Sequence, residues 1–424
     1  MIRRATLRHN PQVQALRTIR DVTVVVVLGV LCVAAFLWDW LLTQVMLSLQ
    51  MNDFGRFYYS ARAFLSGQDM YAPSQPTDVS TMGVQLLNMN PPHFHLLILP
   101  LAWLEPGQAL WLWMGLSVFA LVFSLLIIGR EVEFRATPKR LLLVLLVSLA
   151  FSSSQAFFLT GQLSLLMVLP MTICWYEARR GRWERAGVWL GACLSVKPFL
   201  LIFIPYLIGT RRIRGLVVTI GTAAACFGMG WLIFGTASYK AWVRALAQGG
   251  DWAWAPMNAS VLAVFRRAFD STPFFTPALL EPRFVPFWIA VAGAIGIATL
   301  LVVFEDETES ATDRAFALLL VAAQLLSPLG WVYYLWLPAG PIAALAFRPA
   351  RPNYWQKRGN GFLWVVAVVG LVAPVPLLLR FQPHGWATVT VGSSYFWATL
   401  AVWIMLLLDF ARSRAGINRG ANAK

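Results

Sequence analysis

From residue 22 to residue 408 the chain keeps returning to apolar runs, many near the roughly 20 residues that carry a helix across a bilayer, with short arginine-rich links between them. That alternation excludes most architectures. A soluble domain has too little interior to bury so many uninterrupted runs, whereas lipid accepts them if each satisfies its own backbone as a helix. Charged residues make up only 12% of the chain, about half the share of a soluble protein. The sequence therefore predicts an all-α polytopic membrane protein, a bundle of about 12 segments by span length. Residues 1–424 read as a single integral-membrane unit without internal repeat or soluble domain.

A net charge of +15 raises the question of nucleic acid, and its distribution answers it. The cations sit in short clusters between apolar runs, not along one face. Arg3, Arg4, Arg8, Arg17 and Arg20 form the first. Others gather at Arg130–Arg140, Arg179–Arg185, Arg211–Arg214, Arg348–Arg358 and Arg412–Lys424. Positive charge of this kind marks cytoplasmic loops, so both termini are expected inside a cytoplasmic membrane, with no nucleic-acid partner. The first run, 22–37, lacks a cleavage site and is expected to stay as an anchor. Two long loops, 51–105 and 235–284, then face outward and are expected to carry interfacial helices. Cys32, Cys174, Cys193 and Cys226 all lie in apolar runs and read as packing residues. No acidic cluster offers to hold a divalent ion and no cofactor motif is present, so activity is expected to survive excess chelator.

The run 186–209 decides the topology. Lys197-Pro198 divides it. A single crossing would put Arg211, Arg212 and Arg214 on the outside; two short arms forming a hairpin return them to the inside. The hairpin is favoured by the charge bias, and it leaves Lys197 at its apex, where broken backbone at depth requires a protected or wet cavity.

The most polar stretch of the first half, 51–73, follows the first apolar run and carries Asp53, Arg56, Tyr58, Tyr59, Arg62 and Asp69. Asp53 is a candidate general base: an inverting glycosyl transfer needs one carboxylate to take the acceptor's proton when the leaving group is a stabilised phosphate. Its plainer reading is the N-terminal cap of an amphipathic helix starting there. Lys197 reads as a partner for a lipid phosphate or as a structural lysine at a helix break. Arg266 and Arg267 are candidates to grip the same phosphate, or to rest on lipid headgroups from an amphipathic helix. Tyr58, Tyr59, His93, Gln162, Asn258, Ser260, Trp331, Tyr333 and Tyr334 are candidates for sugar or acceptor contact. Each also has a plainer reading: His93 and His95 as local hydrogen-bonding residues, Gly161-Gln162 as a turn, the aromatics as an interfacial belt. Asn258-Ala-Ser260 also fits a glycosylation sequon.

Taken together these residues resemble glycosyltransferase family 87, in the GT-C class of integral-membrane transferases. Asp53-Phe-Gly-Arg-Phe-Tyr-Tyr59, Gly67-Gln-Asp-Met-Tyr71 and Asn90-Pro-Pro92 leading to Leu99-Pro100-Leu101 carry the resemblance. Gly161-Gln162, Ala186-Gly187, Lys197-Pro198 and the Asn258/Ser260 pair extend it. The resemblance implies a GT-C-type bundle that transfers mannose, or a related pentose or hexose, from a polyprenyl-phosphate donor to a glycan or glycolipid acceptor. It implies inversion on the non-cytoplasmic face, and it maps the family's first-outer-loop aspartate onto Asp53. Two positions depart from the pattern. Ser164 stands where a residue such as asparagine is expected after Gly-Gln, and Tyr333 and Tyr334 stand where histidine is expected. A transporter or flippase of a lipid-linked sugar is the competing reading, since broken helices with a buried lysine occur there too. The absence of inverted repeats speaks against it. A degenerate, non-catalytic partner is the third.

Overall fold

The computed structural model describes residues 52–72, 88–247, 252–270, 277, 279, 284–347, 361–373, 375 and 384–421. The expected first crossing, 22–37, lies outside the described residues, as do the basic clusters before it and at 348–358. Among the described residues the chain is helical, with one isolated β-bridge between Asn258 and Trp331.

Helix α1, Asn52–Leu65, is amphipathic by spacing. Phe54, Phe57, Tyr58 and Ala61 are buried, whereas Tyr59 and Leu65 stay exposed. The apolar piece after residue 90 folds as two 3-10 turns, Pro92–Leu97 and Leu101–Trp103. Helix α2, Pro106–Glu131, is the first described helix long and apolar enough to cross a membrane. Helices α3, Pro138–Ala150, and α4, Ser152–Thr160, form one path bent by 57°. The bend falls where Ser152-Ser153-Ser154-Gln155 is fully buried: Ser153 Oγ donates to the Tyr333 carbonyl at 2.7 Å, and Trp336 Nε1 donates to Ser154 Oγ at 2.8 Å. Those tertiary bonds pull the second arm off the axis of the first.

Helices α5, Ser164–Arg179, and α6, Trp183–Val196, lead to the 3-10 turn Pro198–Ile202 and to α7, Phe203–Gly209. The run divided at Lys197-Pro198 is a hairpin. Trp183, where the first arm starts, meets the Tyr206 ring at 6.2 Å, and the Arg212 guanidinium lies over it at 4.9 Å. Helix α6 then packs backbone to backbone on α8, Ile213–Ala247. A Cβ at Gly187 would sit 2.6 Å from the Gly215 carbonyl oxygen, and one at Gly191 would press closer still on Thr219.

Gly235, where the second long loop is expected to begin, has the non-helical φ 71° and ψ 171°; it breaks α8 at a kink, and a second helical arm runs from there to Ala247. Helix α9, Val261–Phe269, is the amphipathic helix expected within that loop. Helices α10, Val285–Glu305, and α11, Ala311–Leu326, follow; α11 is buried from Asp313 to Leu325 and forms the axis of the core. The chain turns at Val332–Tyr334 into the short α12, Ala339–Ala346, then α13, Gly361–Val372, and α14, Ser394–Ala421.

Among the described residues four stretches meet the requirements of a crossing: α2, α8, α10 and Trp386–Arg414, which contains most of α14. The bent α3–α4 pair makes a fifth. The other expected crossings that fall among the described residues are shorter helices or half-helices. Helix α11 needs no lipid-matched length, because protein surrounds it.

The basic links converge on one end of the bundle. Arg179 and Arg180 pair with Glu131 at 2.9 and 2.8 Å, Arg179 also reaches Asp313 at 3.0 Å, and Arg182 pairs with Glu177 at 2.6 Å. The buried Arg314 is held between Asp306 and Asp409. Ser164 and Arg179 are the first and last residues of the 16-residue α5, about 22 Å apart at 1.5 Å per residue. The polar cluster described next occupies the opposite end.

Candidate functional site

Four elements far apart in sequence meet around Asp53: the start of α1, the turn between α4 and α5, the hairpin apex and the Val332–Tyr334 turn. The first turn of α1 supplies the carboxylate, whose side chain is 17% exposed. The turn between α4 and α5 supplies Gln162. Gly161 ends α4 with φ 66° and ψ 29°, a left-handed conformation that glycine adopts without a Cβ clash, and its carbonyl accepts from Trp113 Nε1 at 2.8 Å. Gln162 Oε1 accepts from the Leu163 amide at 2.9 Å, which fixes which way the side chain faces. Its Nε2 then donates to Asp53 Oδ2 at 3.0 Å and to the Tyr333 hydroxyl at 3.2 Å. Gly161→Ala is expected to lower stability by about 1–2 kcal/mol, the cost of a Cβ in the left-handed region. Unfolding in detergent measures it, and transfer is expected to fall with it because Gln162 is displaced.

The third element is the hairpin apex. Lys197 ends α6 in an extended conformation (φ −130°, ψ 93°), since proline at 198 offers no amide to continue the helix. Its Nζ donates to Asn90 Oδ1 at 2.8 Å and lies 5.5 Å from the centre of the Tyr334 ring. Tyr333 and Tyr334 leave the Val332–Tyr334 turn as adjacent rings, centroids 4.9 Å apart, and Trp331 stacks on Tyr333 at 5.9 Å. The Tyr334 hydroxyl is buried without a hydrogen-bond partner among the described residues, and so is Ser164 Oγ.

Burial pushes the Asp53 carboxyl above the usual carboxylate range. The positive charges of Arg56, 3.7 Å away, and of Lys197 pull it down without cancelling that effect, as does the Gln162 hydrogen bond. Asp53 lies inside the first turn of α1, one residue past its start and not at the flanking cap position, and its carboxylate faces the cluster.

Other expected contacts sit elsewhere. Asn258 is fully buried: its Nδ2 donates to the Ala253 and Pro328 carbonyls, each at 2.9 Å, and its Oδ1 accepts from the Ser260 amide at 3.0 Å. Ser260 Oγ caps α9 by accepting from the Ala263 amide at 3.1 Å. This pair builds the wall that holds Trp331 in place, through Ala259 N to Gly330 O at 2.7 Å and Val332 N to Met257 O at 2.9 Å. An amide so enclosed does not serve as a glycosylation acceptor. Tyr58 donates to the Leu104 carbonyl at 2.8 Å and packs α1 on the neighbouring turn, while Tyr59 is 37% exposed. Arg266 pairs with Asp270 at 2.5 Å. Arg267 is fully buried and donates to Ser393 Oγ and to the carbonyls of Trp254, Ala255 and Asn258.

Of the two histidines only His95 bonds within its own segment, while His93 ties that segment to distant elements. His93 Nε2 donates to the Ser195 carbonyl at 3.1 Å, beside the hairpin apex, and Nδ1 meets the Tyr239 hydroxyl at 3.1 Å. His95 contacts Asn88 at 2.7 Å. Sequence reasoning gave no side-chain role to Asn88 or Asn90, although both stand next to the quoted Pro91-Pro92; the signal available was two asparagines in an otherwise apolar segment.

The model of glycosyltransferase family 87 matches residues 88–329, more than half of the chain. No curated protein and no solved structure matches it. The matched segment holds Asn90, Gln162 and Lys197, and it ends just before Trp331, Tyr333 and Tyr334. Asp53 precedes it and joins it through Gln162.

Proposed function

Because the chain belongs to glycosyltransferase family 87, a family of glycosyltransferases, we propose that it moves a sugar, mannose in the first instance, from a polyprenyl-phosphate donor to a glycan or glycolipid acceptor. The observation that carries this reading is the meeting of the Asp53 carboxylate and the Lys197 ammonium in one cluster, bridged by Gln162, Tyr333 and Tyr334.

In the proposed reaction Asp53 takes the proton of the acceptor hydroxyl as that oxygen attacks the anomeric carbon. The bond from this carbon to the phosphate oxygen breaks on the opposite side, so the configuration inverts, and the polyprenyl phosphate leaves with one more negative charge. Lys197 opposes that growing charge from a site already arranged for it, which is how preorganised electrostatics lower a barrier. The unpartnered Tyr334 hydroxyl supports a ligand here, because a buried polar group without a partner is costly unless something supplies one. Gln162, Tyr333 and Trp331, gathered beside Asp53, are the proposed contacts of the sugar. Arg266, still part-exposed, stays a candidate for an outlying phosphate contact, while His93 supports the apex.

We place the reaction on the non-cytoplasmic face of a cytoplasmic membrane, with both termini inside. The gathering of basic links at the far end of the bundle supports that orientation. Incubating the purified protein with a panel of polyprenyl-phosphate sugars and membrane glycolipids, with products read by mass, tests the proposal. A new glycosidic product is expected. In proteoliposomes, movement of the lipid-linked sugar with no covalent product would replace it with the transport reading.

A further inference from the structure

We propose that Asn90, held by Asn88 and His95, is a positioning residue that steers the Lys197 ammonium with a neutral oxygen and so leaves its charge for the donor phosphate. The inference rests on the reading that Lys197 meets that phosphate.

An ammonium has three donors, and here one is placed, on Asn90 Oδ1 at 2.8 Å. Among the described residues no carboxylate lies within ion-pair distance of Lys197. Asp53 is near enough to influence it electrostatically, but its oxygens face Gln162 and Arg56. The other neighbour is the face of Tyr334.

The orientation of Asn90 is determined by what stands behind it. Its backbone amide and its Nδ2 both donate to Asn88 Oδ1, at 3.1 and 3.3 Å, so Oδ1 is the atom turned to the lysine. Asn88 in turn donates from Nδ2 to Ser60 Oγ at 2.8 Å and to His95 Nε2 at 2.7 Å. His95 carries its proton on Nδ1, which faces the Pro92 carbonyl at 3.3 Å, leaving Nε2 to accept. The backbone is tethered as well: Tyr71 donates to the Asn90 carbonyl at 2.6 Å and Trp242 to the Met89 carbonyl at 3.0 Å. These contacts fix the lysine's direction without an acid. An acid at position 90 would form an ion pair with Lys197 and compete with any phosphate.

The isosteric variant Asn90→Asp separates charge from shape. With a polyprenyl-phosphate sugar as donor, it is expected to raise donor KM about tenfold or more while kcat changes less, the pattern of lost donor binding. Thermal melting in detergent is expected to stay near that of wild type, since the ion pair gained with Lys197 offsets the Nδ2 hydrogen bond to Asn88 Oδ1 that a carboxylate does not make. Asn90→Ala is expected to raise donor KM by a smaller factor, because steering is lost but no rival anion is introduced. A wild-type donor KM in folded Asn90→Asp overturns the proposal. If that variant does not fold, an unchanged donor KM in Asn90→Ala overturns it. Lys197→Gln, measured alongside, tells the two readings apart. Unchanged donor affinity there removes Lys197 from the phosphate site, whereas weakened affinity there with wild-type behaviour in both Asn90 variants defeats this inference alone.

Discussion

Asp53→Asn is expected to reduce sugar transfer by about 10²–10⁴-fold, the range of a general base, while insertion, folding and melting temperature are preserved or improved. Asparagine keeps the side chain's shape, and its Oδ1 can still accept from Gln162 Nε2, which stands 3.0 Å from the carboxylate. What it removes is a charge the folded protein holds at a disadvantage. Burial raises the Asp53 pKa above its unfolded value, so the folded state binds this proton more tightly than the unfolded chain does. Above the raised pKa the ionised carboxylate therefore weighs against folding, and a neutral residue relieves that cost. Stability and activity are thus expected to move in opposite directions, which a structural cap would not produce. The same shift sets the pH dependence. The base works only when ionised, so kcat/KM is expected to fall on acidification with a midpoint above the ordinary carboxylate value. In Lys197→Gln that midpoint moves higher, because the ammonium's pull on Asp53 is gone. Full transfer by Asp53→Asn removes Asp53 as the base.

The class of fold was legible because lipid imposes a length and a periodicity that composition alone reveals. The hairpin at Lys197-Pro198 was legible for a related reason: a lysine followed by proline inside an apolar run has few acceptable placements, and the arginines beyond it select one. Gly235 was legible as a break, since a glycine closing an apolar run permits the positive φ found there, although a second helical arm follows it to Ala247. Asp53 was legible from its setting beside aromatic and cationic residues, but its bond to Gln162 spans 109 positions of sequence. No local pattern encodes that. The roles of Asn88, Asn90 and the serines at 152–154 were hidden for the same cause. A small polar side chain in an apolar segment announces that it is satisfied somewhere, without saying by what. Asn258 and Ser260 show the converse. Their polarity suggested a ligand, and the atoms that receive it belong to the neighbouring backbone at Ala253 and Pro328 and to helix α9 itself.

Arg267 presents that distinction at its largest expected effect. Position alone, on an amphipathic helix beside Arg266, reads as a grip for phosphate. In the fold its Nε donates to Ser393 Oγ at 2.9 Å, its Nη1 to the Ala255 carbonyl at 2.8 Å, and both Nη atoms reach the Asn258 carbonyl at 3.2 Å. Thr388 donates back to the Arg267 carbonyl at 3.0 Å, so the residue pins α9 to the segment entering α14. Arg267→Met keeps much of the volume and removes every one of those donors. Each carbonyl left buried without a partner costs about 1–3 kcal/mol, so the variant is expected to lose roughly 3 kcal/mol or more of stability. Melting of the purified protein in detergent measures the loss. The kinetic signature separates the two roles: an architectural Arg267 lowers the amount of active protein and leaves the donor KM of the surviving fraction near that of wild type. A phosphate ligand would do the reverse, raising donor KM with little change in melting. Because the Asn258 carbonyl is among the atoms deserted, and Asn258 bridges to Trp331, thermal loss is also expected to reach the Trp331–Tyr333 stack first, which the difference in tryptophan fluorescence between Arg267→Met and the same variant carrying Trp331→Phe follows.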